Sequence, residues 1–235
     1  DFNLYNLNKD YDSNYIKHQN KINLINRVED VENLKFNTPN PLSDFPKGSN
    51  AGICLHKILE RLNFQEINCI DKLNDLVKEE LSYYGFDKSF STNIKDGLKR
   101  IIYSSLGEKL HNQRLIDINS SDIIKEIKFD LPLSIEGKTI SAKDLSKCFL
   151  LNQEEEFAED YANKVKDLNI YSKGFHSGCI DCILKIKENH EEGKWWIIDW
   201  KSNFISTEDE IKSLPKNYNY ENMRSEMIKH HYPLQ

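Results

Sequence analysis

Apolar residues recur every three or four positions in six stretches of the chain, as they do on one side of an α-helix. The predicted helices cover residues 15–28, 51–62, 70–84, 92–106, 153–168 and 221–232. In the second of these helices Leu55, Leu59 and Leu62 form the apolar side. His56 and Glu60 are four residues apart and share another face of that helix.

A period of two residues predicts β-strands in three other stretches. In residues 123–133, Ile127 and Phe129 alternate with charged residues, which is typical of a half-buried strand. Residues 178–187 and 194–203 are rich in β-branched and aromatic side chains, and the polar stretch between them predicts a hairpin. Helices around such a sheet make an α/β fold.

Three prolines, at positions 39, 41 and 46, separate the start of the chain from the rest. We therefore expect residues 1–44 to be a linker or N-terminal extension and residues 45–235 to form the folded domain. The 235 residues leave room for one to two domains of ordinary size. Because the chain starts at Asp1 and stops soon after a Tyr-Pro-Leu sequence, we expect a truncated piece of a longer polypeptide.

Acidic residues outnumber basic ones by 38 to 32, which gives a formal net charge of −6. This balance argues mildly against a protein that coats nucleic acid through bulk charge, although it leaves a local site open. No apolar run is long enough to span a bilayer and no signal peptide opens the chain, so we expect a cytoplasmic protein without membrane contact. The frequent Asn, Lys and Ile residues are typical of an AT-rich genome.

Five scattered cysteines disfavour a disulfide framework and favour reduced thiols. Cys179 and Cys182 have the spacing of a metal or redox pair. On a strand, residues three apart face opposite sides, so we do not expect these two thiols to bind one metal.

The predicted hairpin brings two acidic residues together. If Glu188 pairs with Glu192, Asp181 lies directly across from Asp199, with their Cβ atoms about 4.5–5.5 Å apart. Lys201 points to the same face because it lies two residues beyond Asp199. This arrangement depends on the register of the hairpin, which a shift of one residue would break.

Two adjacent carboxylates repel each other unless a cation lies between them, and hard oxygen ligands favour Mg²⁺ or Mn²⁺. A metal, two acids and a lysine suit the attack of water on a phosphodiester. The alternative is a surface network of Asp181, Asp199 and Lys201 without a metal. The run around Asp199, from Trp195 to Lys201, is apolar on both sides, and an acid in a buried strand needs a partner.

Asp181 followed by Asp199-x-Lys201 resembles the core motif of the PD-(D/E)XK nuclease superfamily. The surrounding residues are similar to one branch of it, the C-terminal nuclease domain of RecB, the beta subunit of bacterial exodeoxyribonuclease V. The similar stretches follow the family's order: FPKG at 45–48, AGICLH at 51–56, EIKFDLP at 126–132, GCID at 178–181, DWKSN at 199–203 and YPLQ at 232–235.

The resemblance implies roles for the residues that match its motifs. His56 lies in the family's Gly-x-x-x-His helix and is expected to bind a metal together with Asp181 and Asp199, while the main-chain carbonyl of Trp200 adds an oxygen. Lys201 matches the catalytic lysine. Beside carboxylates it is expected to stay charged, and therefore to bind phosphate and orient water rather than act as a free base.

Glu126 matches an acid of the family's preceding strand and is expected to act on the metal or its water, with an ordinary surface position as the alternative. Tyr232 and Gln235 match the start of a Tyr-x-x-Gln motif that supports the site or the DNA. Two interpretations of Glu60 stay open, namely support of His56 or an ion pair with a lysine.

The resemblance further implies a restriction-endonuclease-like fold, with a mixed central sheet flanked by helices. It implies a Mg²⁺-dependent deoxyribonuclease, with Mn²⁺ as a substitute, that hydrolyses linear DNA as single strands or duplex ends. The setting is a bacterial RecBCD-type helicase–nuclease in double-strand break repair, with RecC and RecD as partner subunits and ATP used by a helicase part outside this chain. The alternative is an inactive nuclease-fold module that binds DNA or partner subunits.

Overall fold

A computed structural model describes residues 38–133, 137–151, 157–187, 193–207 and 211–234. The predicted helix at 15–28, most of the predicted extension at 1–44, the hairpin loop at 188–192 and Gln235 lie outside these ranges. Within them, no helix is both long and apolar enough to cross a membrane.

Six α-helices lie in the described ranges. They are α1 (Ser49–Arg61), α2 (Ile70–Tyr83), α3 (Ser91–Tyr103), α4 (Ala142–Leu151), α5 (Ala158–Lys166) and α6 (Tyr220–Lys229). Helices α1, α2, α3 and α6 begin and end within three residues of their predicted bounds. Helix α5 falls within the prediction for 153–168, whereas α4 corresponds to no prediction.

Five described strands form two antiparallel sheets. They are β1 (Ile123–Pro132), β2 (Ile140–Ser141), β3 (Tyr171–Ser172), β4 (Phe175–Ile186) and β5 (Lys194–Ile198). The larger sheet has the order β1-β4-β5, and β2 pairs with β3. Mixed helices and strands are as predicted, but every described strand pair is antiparallel, so the parallel pairing of a mixed sheet is not among the described strands.

The hairpin of β4 and β5 has the predicted register. Cys182 pairs with Ile198, and the pairing continues in step along both strands. One residue further, this register places Asp181 opposite Asp199. The predicted register is therefore confirmed for the paired residues, which end one position before Asp181 and Asp199.

The ladder between β1 and β4 adds a third acidic residue to this row. Lys125 pairs with Cys182 and Ile127 pairs with Ile180, so the intervening Glu126 lies opposite Asp181. Glu126 and Asp181 thus lie at one level of β1 and β4, and Asp199 directly follows the last paired residue of β5.

Strand β5 is shorter and more exposed than predicted. It ends at Ile198, and residues 199–203 continue without strand pairing. Trp195 and Ile197 are 54% and 68% exposed. The expectation that Asp199 lies in a buried strand is therefore wrong, because Asp199 follows the end of β5 and one face of β5 is open among the described residues.

The core lies between helices α1 to α3 and one face of β4. Cys182, Leu184 and Ile186 alternate along β4 and are all buried, as the period of two requires. The buried side of α1 is formed by Ala51, Cys54, Ile58, Leu59 and Leu62. Leu55, which we predicted on this side, is half-buried and packs at its margin. Each fully buried aliphatic side chain contributes about 1.5–3 kcal/mol, so this contact fixes α1 on the sheet.

Lys125 joins the end of α1 to β1. Its ammonium group donates to the main-chain carbonyls of Leu59 and Leu62, and it lies 3.6 Å from the centroid of the Phe64 ring. The last carbonyls of a helix have no partner within the helix, and a cation there is favourable. Burial lowers the pKa of Lys125 to about 8.

Candidate active site

Asp181 connects α1 with the segment that follows β5. One carboxylate oxygen lies 3.4 Å from Nδ1 of His56, and the other accepts a hydrogen bond of 2.7 Å from the main-chain N–H of Trp200. The Asp181 side chain is only 14% exposed, so these two contacts fix its orientation. The structure therefore brings the predicted His56–Asp181 pair together.

Asp199 and Lys201 form an ion pair with each other. The Lys201 ammonium also lies 4.8 Å from the centroid of the Tyr232 ring, within the range of a cation–π contact. The Lys201 side chain is 27% exposed and that of Asp199 is 48% exposed. Lys201 is thus held between a carboxylate and an aromatic face while its ammonium stays accessible.

Glu126 has an unusual backbone conformation, with φ of +54°. A residue other than glycine in this region costs about 1–3 kcal/mol, and such strain clusters at functional sites. The neighbouring residues of β1 remain in the ladder, so the strain is confined to this position. The Glu126 carboxylate accepts a 3.1 Å hydrogen bond from the Cys179 thiol, which lies two residues before Asp181. This hydrogen bond raises the pKa of Cys179 and keeps the thiol protonated at neutral pH.

Most of the predicted site residues line one cavity, which has a volume of about 410 Å³. Those that line it are His56, Glu60, Glu126, Trp200, Lys201 and Tyr232. Glu60 is turned toward Lys57, whose ammonium lies 2.6 Å from each of its carboxylate oxygens. Of the two interpretations of Glu60, this contact favours the ion pair with a lysine.

Helix α1 approaches the segment that carries Lys201 very closely at Gly52. A Cβ atom built on Gly52 would lie 3.1 Å from Oγ of Ser202, closer than most such contacts in proteins. Both residues line the cavity. The absence of a side chain at Gly52 therefore lets α1 and its His56 pack beside Lys201.

Tyr232 is held by a network that we did not predict. Its hydroxyl donates to Oδ1 of Asn203 at 2.9 Å, and the Asn203 amide donates to Glu226 at 3.4 Å. His230 stacks on the Tyr232 ring, with centroids 5.5 Å apart, and lies 2.8 Å from the Glu226 carboxylate. Asn203 could have been singled out as the last residue of the DWKSN stretch, and Glu226 from its spacing of four residues to His230 on a helix.

Burial raises the pKa of Glu226, but hydrogen bonds from His230, Lys229 and Asn203 outweigh burial and leave the pKa below its ordinary value. Glu226 is therefore ionised at neutral pH and acts as the acceptor at the centre of this network.

The carboxylate oxygens at the site suit a hard divalent cation, whereas the imidazole nitrogen of His56 is a ligand that is more typical of transition metals. Their arrangement is incomplete, however. Among the described residues, no three His, Cys, Asp or Glu side chains lie close enough together to hold a metal ion. His56 and Asp181 are adjacent, while the Asp199 carboxylate is paired with Lys201 instead. The predicted metal ligands thus remain a prediction.

The cysteines behave as predicted. All five are free thiols, with Cys182 buried and Cys179 exposed. The two therefore face opposite sides of β4 and do not form a joint site.

The chain is similar to RecB proteins over most of its length. It is 33% identical over 192 residues, 81% of the chain, to RecBCD enzyme subunit RecB of Buchnera aphidicola subsp. Baizongia pistaciae. It is 25% identical over 229 residues, 97% of the chain, to RecB of Haemophilus influenzae, and 23% identical over 191 residues, 81% of the chain, to RecB of Escherichia coli.

These matches cover only 14%, 16% and 14% of the respective relatives, so the chain spans about one seventh of the length of the curated relatives it matches. No protein-family model matches the chain. The aligned part is the C-terminal part of the relatives, where the resemblance of the motifs had placed it. The chain belongs to the RecB family and corresponds to the C-terminal part of RecB.

Proposed function

We propose that this chain is a Mg²⁺-dependent deoxyribonuclease domain that hydrolyses phosphodiester bonds of linear DNA. The observation that carries the proposal is the placement of Asp181. It is held by His56 and by the N–H of Trp200, and both of these residues line the cavity together with Lys201. A restriction-endonuclease-like fold is part of the same proposal.

The charge of the site supports the binding of a cation. Glu126, Asp181 and Asp199 contribute −3 and Lys201 contributes +1, which leaves −2 in a small region. The expected ligands are His56, Asp181, Asp199 and the carbonyl of Trp200. When bound, Mg²⁺ or Mn²⁺ would offset negative charge on the phosphate oxygens and make water a better nucleophile.

The protein's own residues supply orientation and charge. Lys201, steadied by the Tyr232 ring, would bind a phosphate oxygen and keep it next to Asp181. The hydrogen bond from Trp200 N–H holds the Asp181 carboxylate in place. Asp199 would have to exchange its ion pair with Lys201 for a contact to the cation.

The relatives give the wider setting of this proposal. Each of them is named as a subunit of the RecBCD enzyme. We infer that the chain acts within such a helicase–nuclease during double-strand break repair, with RecC and RecD as partners. ATP-driven unwinding would then belong to the remainder of the polypeptide.

The test is cleavage of linear single-stranded DNA by this chain during a titration with Mg²⁺ or Mn²⁺. Asp199→Ala should abolish metal-dependent cleavage, and Lys201→Met should lower turnover by roughly 10²–10³-fold. Asp130→Ala is the matched control, because Asp130 is an exposed carboxylate on β1 that bonds Ser177 away from the cavity. It should cleave like the unsubstituted chain.

The results also separate the proposal from its alternative. Unchanged cleavage in Asp199→Ala would contradict the metal assignment. DNA binding without cleavage by the unsubstituted chain at every metal concentration would contradict a nuclease and favour a nuclease-fold module that only binds DNA or partner subunits.

A further inference from the structure

A second, larger cleft adjoins the candidate active site. Its volume is about 810 Å³, and it lies between the turn Pro41–Asp44, the first half of α1, α3 and the segment after β5. It shares six lining residues with the smaller cavity, namely Ser49, Gly52, Lys201, Ser202, Asn203 and Tyr232. The two cavities therefore meet at Lys201 and Tyr232.

The charge of this cleft is opposite to that of the chain. Its lining includes the basic residues Lys47 and Arg100, and none of the described residues that line it is Asp or Glu. Lys201 and His230 also line it, but they contact Asp199 and Glu226 outside the lining. The chain as a whole has 38 acidic and 32 basic residues. A cleft without acids in an acidic protein is complementary to a polyanion.

Aromatic rings accompany the cations in the cleft. The Lys47 ammonium lies 3.2 Å from the centroid of the Phe204 ring, and that of Lys201 lies 4.8 Å from the centroid of the Tyr232 ring. Both rings are half-buried in the cleft wall. Cations beside aromatic faces are the combination that binds single-stranded nucleic acid, since phosphates pair with the cations and bases stack on the rings.

We propose that this cleft binds a stretch of single-stranded nucleic acid that continues from the phosphodiester at Lys201. Arg100 would contact a phosphate. Lys47 would move from the Phe204 ring to a second phosphate and leave that ring face to a base. The inference deepens the proposed nuclease function and rests on it, because the strand is taken to be the one that is cut. A duplex would keep its bases paired and would leave the Phe204 ring without a partner.

The experiment measures binding of a fluorescein-labelled oligothymidine of about 12 nucleotides by anisotropy, in EDTA so that no cleavage occurs. Lys47→Met combined with Arg100→Met should weaken binding at least tenfold and reduce the slope of log K against log salt by about 1.4, or roughly 0.7 for each lost phosphate contact. Phe204→Leu should weaken binding about fivefold or more without changing that slope. Lys99→Met is the matched control, because Lys99 is exposed on α3 next to Arg100 but does not line the cleft.

Normal affinity and an unchanged salt slope in the double variant would overturn the inference, as would an equal loss in Lys99→Met. Displacement of the oligonucleotide by a matched length of polyglutamate at equal concentration would overturn it in favour of an acidic protein segment. Far-ultraviolet circular dichroism and urea unfolding of each variant separate lost binding from lost folding.

The two proposals fail in different ways. Oligonucleotide binding that depends on Lys47 and Arg100, without metal-dependent cleavage, would support the binding cleft and contradict the nuclease function. Cleavage that is abolished by Asp199→Ala, together with oligonucleotide binding that does not depend on Lys47 and Arg100, would support the nuclease function and contradict the binding cleft.

Discussion

Replacing Lys125 with methionine removes the ammonium group that joins the end of α1 to β1 while keeping an unbranched side chain of similar length. The pKa of Lys125 is lowered from 10.5 to about 8, because burial disfavours the charged form. We therefore expect the stability of the chain to depend on pH in a way that this one residue controls.

The sign of the effect follows from proton binding. Between pH 8 and pH 10.5, the unfolded chain keeps the proton of Lys125 while the folded chain loses it, so the contribution of Lys125 to stability rises with pH. It is fully present above 10.5 and is lost as the pH falls through about 8. Between pH 7 and pH 9.5, this amounts to about 2 kcal/mol.

The assay is urea unfolding followed by tryptophan fluorescence at pH 7, 8.5 and 9.5, with a reducing agent. Burial raises the pKa values of Cys54 and Cys182 to about 11, so these thiols lower stability as the pH rises above 9 in every variant. The informative quantity is therefore the difference between the unsubstituted chain and Lys125→Met. Between pH 7 and pH 9.5, the free energy of unfolding of the unsubstituted chain should increase by about 2 kcal/mol relative to that of Lys125→Met.

Lys128→Met is the control, because Lys128 is an exposed lysine on the same strand. The pH dependence of the Lys125→Met difference should clearly exceed that of the Lys128→Met difference. A difference for Lys125→Met that does not change with pH would refute the argument, since it would mean that Lys125 keeps its ordinary pKa and is not desolvated at the end of α1.

Substitutions at three other positions test the contacts around the site. Gly52→Val should lower the free energy of unfolding by about 1–3 kcal/mol in urea titrations, because its side chain would press on Ser202, and Gly52→Ala should cost less. Tyr232→Phe should remove the hydrogen bond to Asn203, destabilise the chain by about 1 kcal/mol and lower kcat for DNA cleavage more than it changes KM. Glu226 has a lowered pKa, so its contribution to stability is present above pH 4.5 and is lost as the pH falls below that value. In thermal melts, the decrease in Tm from pH 7 to pH 4 should therefore be smaller for Glu226→Gln than for the unsubstituted chain.

Most helices and the larger sheet follow from the sequence because their burial is periodic. Cys182, Leu184 and Ile186 alternate along β4, and the period alone places them on one face. Helix α4 was missed because its pattern is mixed. It buries Ser146 and leaves Leu151 82% exposed, so the apolar residues do not mark its packed side.

The end of β5 could not be predicted, because it depends on a tertiary contact. The sequence from Trp195 to Trp200 reads as one continuous strand. The N–H of Trp200, however, donates to the side chain of Asp181 rather than to a main-chain carbonyl of β4. A side chain thus takes over a donor that would otherwise extend the ladder, and the segment with Lys201 leaves the sheet.

The positions of the site residues were predictable from the register, whereas their partners were not. The sequence places Asp181, Asp199 and Lys201 near one another, but it does not indicate that Asp199 pairs with Lys201 in preference to a shared site with His56. Side-chain partners of this kind depend on rotamers and on α1, which is distant in sequence from the hairpin.

These partners explain how three acids can lie in one row. We expected the repulsion between carboxylates to require a cation. In the structure each carboxylate instead has a donor of its own: the Trp200 N–H for Asp181, the Lys201 ammonium for Asp199 and the Cys179 thiol for Glu126. Such donors stabilise the charged carboxylates without a metal ion. A divalent cation at the proposed site would compete with Lys201 for Asp199, and the Lys201 ammonium would then be free to bind a phosphate oxygen.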